Sequence, residues 1–233
     1  MNDRVQRLND RDFRKNAEYI LYGTQMNRRA ESNHALEYAI SLANEHGLPV
    51  LCYEGLTCTY PYANDRIHTF MLEAVPETRR RIEARHVGYC FYLRRRKSDP
   101  NDILYQVARD AAAVVTDDYP TFIPSEHNRS VPAKLDIPFF AVDSSCVVPM
   151  SRMEKREYAA YTIRPKIHKL LPKYLTPVER VQVKVPWQGS TPAFHVDVTD
   201  ENIGSLVASC EIDHSVPPST AFRGGRKVAE KRL

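Results

Sequence analysis

Several features that would narrow the function at once are missing. No stretch approaches the roughly 18 consecutive apolar residues of a membrane-spanning helix, and the opening residues Met1 to Phe13 are crowded with Asn, Asp and Arg. They suit neither a signal peptide nor an anchor, so a cytoplasmic protein with no membrane partner is the expectation. No Cys-x-x-Cys pair and no Cys/His spacing of a zinc site occurs, and the five cysteines (Cys52, Cys58, Cys90, Cys146 and Cys210) are odd in number. That argues against a disulfide framework and for reduced, mostly buried thiols. There is no Gly-x-Gly-x-x-Gly and no P-loop, which excludes the ordinary dinucleotide and triphosphate cradles. Trp187 is the single tryptophan, too few for a relay of indoles. A net charge of +4 over 233 residues is more dilute than the footprint of a dedicated nucleic-acid module.

What is present is a hydrophobic content of 42%, enough for one sizeable core. From residue 17 to about 150, short apolar runs alternate with helical periodicity, the pattern of βαβ units around a parallel, doubly wound sheet. The first strand reads as residues 17–22. The following helix opens near Ser32 or Asn33 and buries Leu36, Ala39, Ile40 and Ala43, with Gly47 as its stop. Residues 49–53 form the second strand, and a turn-rich loop runs from Gly55 to Asn64. A long helical pattern follows from Asp65 to His86, with Phe70, Met71, Ala74, Val75 and Ile82 inward. Pro76 predicts a kink or break there, because it removes a hydrogen bond and crowds the Leu72 carbonyl. Strands follow at 89–93, 113–116 and 138–142, and Asp99-Pro100 reads as a helix start.

Past residue 150 the composition changes. Glu154 to Leu171 is helical and strongly basic, and Pro172, Pro177, Pro186, Pro192, Pro217 and Pro218 then punctuate a polar stretch of linker character. Arg79 to Arg81 and Arg94 to Lys97 are more often solvated faces than phosphate ligands; Arg164, Lys166 and Lys169 fall near one helical face and make the better phosphate candidate. His34, at a helix start, reads as a structural histidine.

Three separated segments carry a family resemblance. The first is Arg28-Arg29-Ala30-Glu31-Ser32-Asn33-His34-Ala35-Leu36. The second begins at Pro138-Phe139-Phe140-Ala141-Val142-Asp143 and continues to Glu157-Tyr158-Ala159-Ala160 and Thr162-Ile163-Arg164-Pro165-Lys166. The third is Phe222-Arg223-Gly224-Gly225. In order and spacing these resemble the class II cyclobutane-pyrimidine-dimer DNA photolyases of the photolyase/cryptochrome family.

The resemblance implies a Rossmann-like, doubly wound five-stranded parallel sheet with helices on both faces, followed by a basic helix and a proline-rich linker. It divides the chain into a polar extension (1–16), an α/β antenna domain (17–150), a connecting helix (151–171), a linker (172–221) and the start of an FAD-binding helical domain (222–233). It also implies light-driven splitting of pyrimidine dimers by reduced FAD, with UV-damaged DNA as partner through the helical domain. That domain is expected to lie beyond this chain, so no catalytic residue carries over. The α/β unit is left with two roles: scaffolding a helical domain in cis or trans, and holding an antenna chromophore.

Ligands of open parallel sheets sit at the carboxyl ends of the strands, where strand order reverses. That places the site between Gln25, Met26, Asn27 and Arg28 on one side and Asp117, Asp118 and Tyr119 on the other. The family often carries Trp-Met-Gln where this chain has Gly23-Thr24-Gln25, which removes an indole on which an antenna could stack. A stand-alone binder of an antenna-like or nucleotide-like ligand and an inactive truncated product are the alternatives.

Overall fold

The computed structural model describes residues 2–233. Its centre is a parallel run of β2 (Tyr19–Thr24), β3 (Val50–Thr57), β4 (Gly88–Arg94), β5 (Ala111–Asp117) and β6 (Phe139–Val142). Successive side chains of a strand point to opposite faces. Ile20, Tyr22, Cys52, Phe91 and Val115 thus enter one core with helix α1 (His34–His46) and helix α2 (Asp65–Glu83). Tyr19, Leu21, Leu51, Cys90 and Val114 enter a second core with helix α3 (Ile103–Ala108). Burial on both faces explains why these strands read as continuous apolar runs rather than alternations.

The sheet order β1-β6-β5-β2-β3-β4 corrects the five-stranded, all-parallel expectation. The sixth strand is β1 (Val5–Arg7), which pairs antiparallel with β6 and covers what would be an open edge. It is short and half-exposed, so no hydrophobic pattern marks it, and its residues fall in the expected polar extension. Arg4 then reaches the carbonyls of Asp143, Cys146 and Val147 and closes the corner.

Most helix signals act where they stand. Asn33 caps α1, its side chain accepting from the N–H groups of Ala35 and Leu36, and Gly47 ends the helix at φ 67. Helix α2 differs from expectation: it continues through Pro76 without a break. Leu72, Val75 and Ile82 pack beneath it and offset the hydrogen bond lost at the Leu72 carbonyl, while Phe70 is 47% exposed. Asp99 does not cap a helix. Its carboxylate binds the N–H groups of Arg95 and Arg96, and α3 starts later, at Ile103. Helix α4 (Phe122–Ser130) has no apolar stripe strong enough to announce it. The basic helix, α5, spans Ala160–Tyr174 rather than starting at Glu154. Pro165 and Pro172 both lie inside it, each leaving one carbonyl of the preceding turn without its helical donor.

The proline-rich stretch lies against the domain. Its regular elements are short: α6 (Ile203–Ala208), and beyond it α7 (Arg226–Glu230). Val198, Ile203, Leu206 and Val207 complete the first core, and Trp187 and Phe194 border the second. The Val196 N–H bonds the Phe91 carbonyl and the Trp187 N–H bonds that of His86, so an extended strap follows the β4 edge. The weak alternation at 193–198 therefore reflects edge packing, although no strand forms there. All five cysteines are free, and four are buried.

Candidate functional site

Strand order reverses between β2 and β5, where the sequence places the ligand crevice. At that point the structure is filled. The buried Asp117 carboxylate takes the N–H groups of Gln25, Met26 and Asn27 on one oxygen, at 2.8–2.9 Å, and the Tyr22 hydroxyl on the other, at 3.1 Å. Asp117 thus folds the β2 exit into a tight turn and faces no ligand. Asn27 is buried with it, donating to Ser145 and accepting from Arg29. Asp118 lies towards β1, 3.3 Å from Gln6 Nε2; burial, aided by Asp143, pushes its carboxyl above the usual carboxylate range. Tyr119 is half-buried beside it.

The open space lies to one side, on the α3 and α4 face of the sheet. A crevice of about 600 Å³ is lined by Gln25, Met26 and Arg28 of the sequence-predicted set, but not by Asn27, Asp117, Asp118 or Tyr119. Its floor is the end of β2, at Gly23, beside Leu104. Tyr53 and Tyr92 wall it from β3 and β4, Tyr105 from α3, and Phe122, Ile123 and His127 from α4. Sequence reasoning missed this aromatic wall. The available signals were the in-phase positions of Tyr53 and Tyr92 with Leu51 and Cys90, and a glycine inside a strand.

Phe122 carries a further sign. It is 80% exposed and its backbone sits at φ 58, a conformation that costs a bulky residue on the order of 1–3 kcal/mol and clusters at functional sites. Polar groups on the α4 side are few. His127 Nδ1 lies 3.0 Å from Gln25 Oε1, which can only accept, so that nitrogen carries the proton. Burial lowers the His127 imidazole below its ordinary value and raises the hydroxyls of Tyr53, Tyr92 and Tyr60, the last to about 12. These side chains therefore stay uncharged at physiological pH and offer stacking and hydrogen bonding, while Arg28, Arg94 and Lys134 bring positive charge to the lining.

Within the basic runs, Arg79 and Arg81 are paired with carboxylates and Arg94 is held by neutral groups. Arg79 pairs with Glu83 and Asp197, and Arg81 with Glu77 and Glu31. The Arg94 guanidinium is taken up by the carbonyls of Lys97 and Asp99 and by Thr59. Half-buried His34 lies outside the crevice, and burial, with Arg4 nearby, lowers it to about 4. Trp187 packs edge-on against Tyr19.

A fused-ring chromophore fits this space: the volume lies within the range of small-molecule sites, and the lining is aromatic with few polar groups. No helix among the described residues is long and apolar enough to cross a membrane, and no group of His, Cys, Asp and Glu there forms a metal site.

The arrangement has the α/β fold of photolyases and cryptochromes. A cryptochrome from Synechocystis matches 94% of the chain with a TM-score of 0.58 at 13% identity, over 46% of its own length. An archaeal photolyase from Sulfolobus tokodaii matches 91% with a TM-score of 0.54 at 20% identity, over 45% of its length. The family model for DNA photolyase matches residues 21–184, and the chain belongs to the DNA photolyase family, of which it represents the N-terminal domain. It is 33% identical over 228 residues to the deoxyribodipyrimidine photo-lyase of Methanothermobacter thermautotrophicus, covering 97% of this chain and 48% of that protein. The chain thus spans about half the length of that relative.

Proposed function

We propose that this chain is the antenna-holding part of a class II pyrimidine-dimer photolyase and that its chromophore lies in the crevice at the end of β2. The observation that carries the reading is the crevice itself: an aromatic-walled space of about 600 Å³ at the carboxyl ends of the strands, lined by no carboxylate. The block Glu157 to Lys166 supports the class II assignment, and the light-harvesting cofactor named for the Sulfolobus tokodaii photolyase supports the antenna role.

The bound chromophore would supply light absorption and pass the excitation to a flavin. This chain's residues would do the holding. Tyr53, Tyr92 and Phe122 stack and exclude water, Gln25 and His127 offer oriented donors and acceptors, and Asp117 keeps the β2 turn in place. Electron transfer to a dimer in UV-damaged DNA, with FAD as its cofactor, is assigned to the remaining length of such a photolyase, and no residue here is given a catalytic role.

The test uses the protein in which this chain is joined to its flavin-bearing part. Emptying the crevice should lower repair several-fold under light the antenna absorbs and leave repair by direct flavin excitation unchanged. An unchanged action spectrum after the chromophore is removed would overturn the proposal.

A further inference from the structure

The segment that follows α6 runs back along α2 and touches it at intervals. Asp213 and Asn64 form a short parallel bridge: the Asp213 N–H bonds the Ala63 carbonyl, and the Asp65 N–H bonds that of Asp213. Arg66 Nε then donates to the Pro217 carbonyl. Glu73 takes the Arg223 guanidinium and the Gly224 N–H, and Glu77 takes the Lys227 N–H. Successive positions on α2 thus meet successive positions of the segment, from Asp213 to Lys227.

Among these contacts stands one group whose charge changes near neutral pH, His214. Its Nδ1 lies 2.7 Å from Asp65 Oδ1 and its Nε2 lies 3.0 Å from the Cys210 carbonyl oxygen. A carboxylate and a backbone carbonyl only accept hydrogen bonds. Both ring nitrogens must therefore carry protons, and the geometry is that of an imidazolium. A neutral ring would turn a lone pair towards one of the two oxygens and lose that bond. The Cys210 end is fixed, because Ile203, Leu206 and Val207 hold α6 in the first core. The segment beyond it is held by polar contacts.

The titratable groups around the ring are Asp65 and His68 on α2, and Cys210 and Asp213 on its own segment. Burial lowers His68 below its ordinary value and raises the Cys210 thiol to about 11, so neither brings charge. Asp65, through its hydrogen bond, raises His214 above 6.5.

We propose that His214 is a proton-operated clasp: protonated, it bridges α2 and the end of α6 and holds the segment from Asp213 onward against α2; deprotonated, it releases the first of those contacts. The stabilisation it provides is complete below about pH 6.5 and is lost as the pH rises through the elevated value of the folded ring.

Nitrogen NMR of the intact protein should find both His214 ring nitrogens protonated at about pH 6.5, with a titration midpoint above that of free histidine. Asp65→Asn should lower that midpoint. Hydrogen exchange, read peptide by peptide and corrected for intrinsic rates, should show protection of residues 210–216 falling several-fold between about pH 6.5 and about pH 8.5, with the peptide of β2 unchanged. His214→Gln, at a half-exposed site, should remove this pH dependence and leave protection at its alkaline level. A midpoint at or below that of free histidine, pH-independent protection in wild type, or a pH dependence that survives His214→Gln would overturn the proposal.

Discussion

Replacing Asp117 with alanine should destabilise the protein by about 4 kcal/mol. Its carboxylate is fully buried and accepts from the backbone N–H groups of Gln25, Met26 and Asn27 and from the Tyr22 hydroxyl. Each donor left without a partner costs roughly 1–3 kcal/mol. Simple addition would exceed the answer, because the Gln25 and Met26 amides are only part-buried and water from the crevice can reach them. The fully buried Asn27 amide and Tyr22 hydroxyl set the lower bound. For a chain of this size about 4 kcal/mol corresponds to a fall in Tm of roughly 8–16 °C. Urea unfolding followed by circular dichroism measures it, as a lower midpoint at unchanged slope. Asp117→Asn keeps an acceptor for the turn and should lose about half as much. A loss below about 1 kcal/mol for Asp117→Ala would refute the assignment of this carboxylate to the β2 turn.

Other outcomes follow from the same geometry. Gly88→Ala would place a Cβ 2.5 Å from Trp187 Cδ2, so the indole must move; the emission of this single tryptophan should shift to the red, with a loss of about 1–3 kcal/mol. Arg85→Ala strands Glu37, with which it forms a 2.7 Å buried pair, and also frees the Val181 carbonyl. It should cost about 3–5 kcal/mol and open the strap near Val181 to limited proteolysis, whereas replacing both partners by apolar residues should restore most of the stability. His34, lowered from 6.5 to about 4 in the fold, stays neutral there while the unfolded chain binds a proton. Its contribution to stability is therefore complete above pH 6.5 and lost as the pH falls towards 4, and His34→Gln should flatten the stability profile across that window.

The parallel sheet was legible because strands buried on both faces are nearly uniform in apolarity, and the α1 caps were legible because Asn33 and Gly47 act locally. The strand β1 was not, since Val5 to Arg7 gains its place by pairing with β6 across a long stretch of sequence. Pro76 misled in the opposite direction: a local rule gave way to tertiary packing at Leu72, Val75 and Ile82. For the candidate site, the switch-point rule points to the end of the sheet where the crevice opens, and Gln25, Met26 and Arg28 of its set line that crevice. It could not show that Asp117 turns inward to its own backbone, nor that Tyr53, Tyr92, Tyr105 and Phe122 converge from four separate elements. Alternation placed two of those rings on the right face, but their convergence depends on helix positions that no local pattern encodes.

The most direct test of the central claim is a crystal structure of the protein with its native chromophore bound. The ring system should lie in the crevice at the end of β2, between Tyr53, Tyr92 and Phe122. A chromophore bound elsewhere, such as against the Asn27 and Asp118 side of the β2 turn, would contradict it.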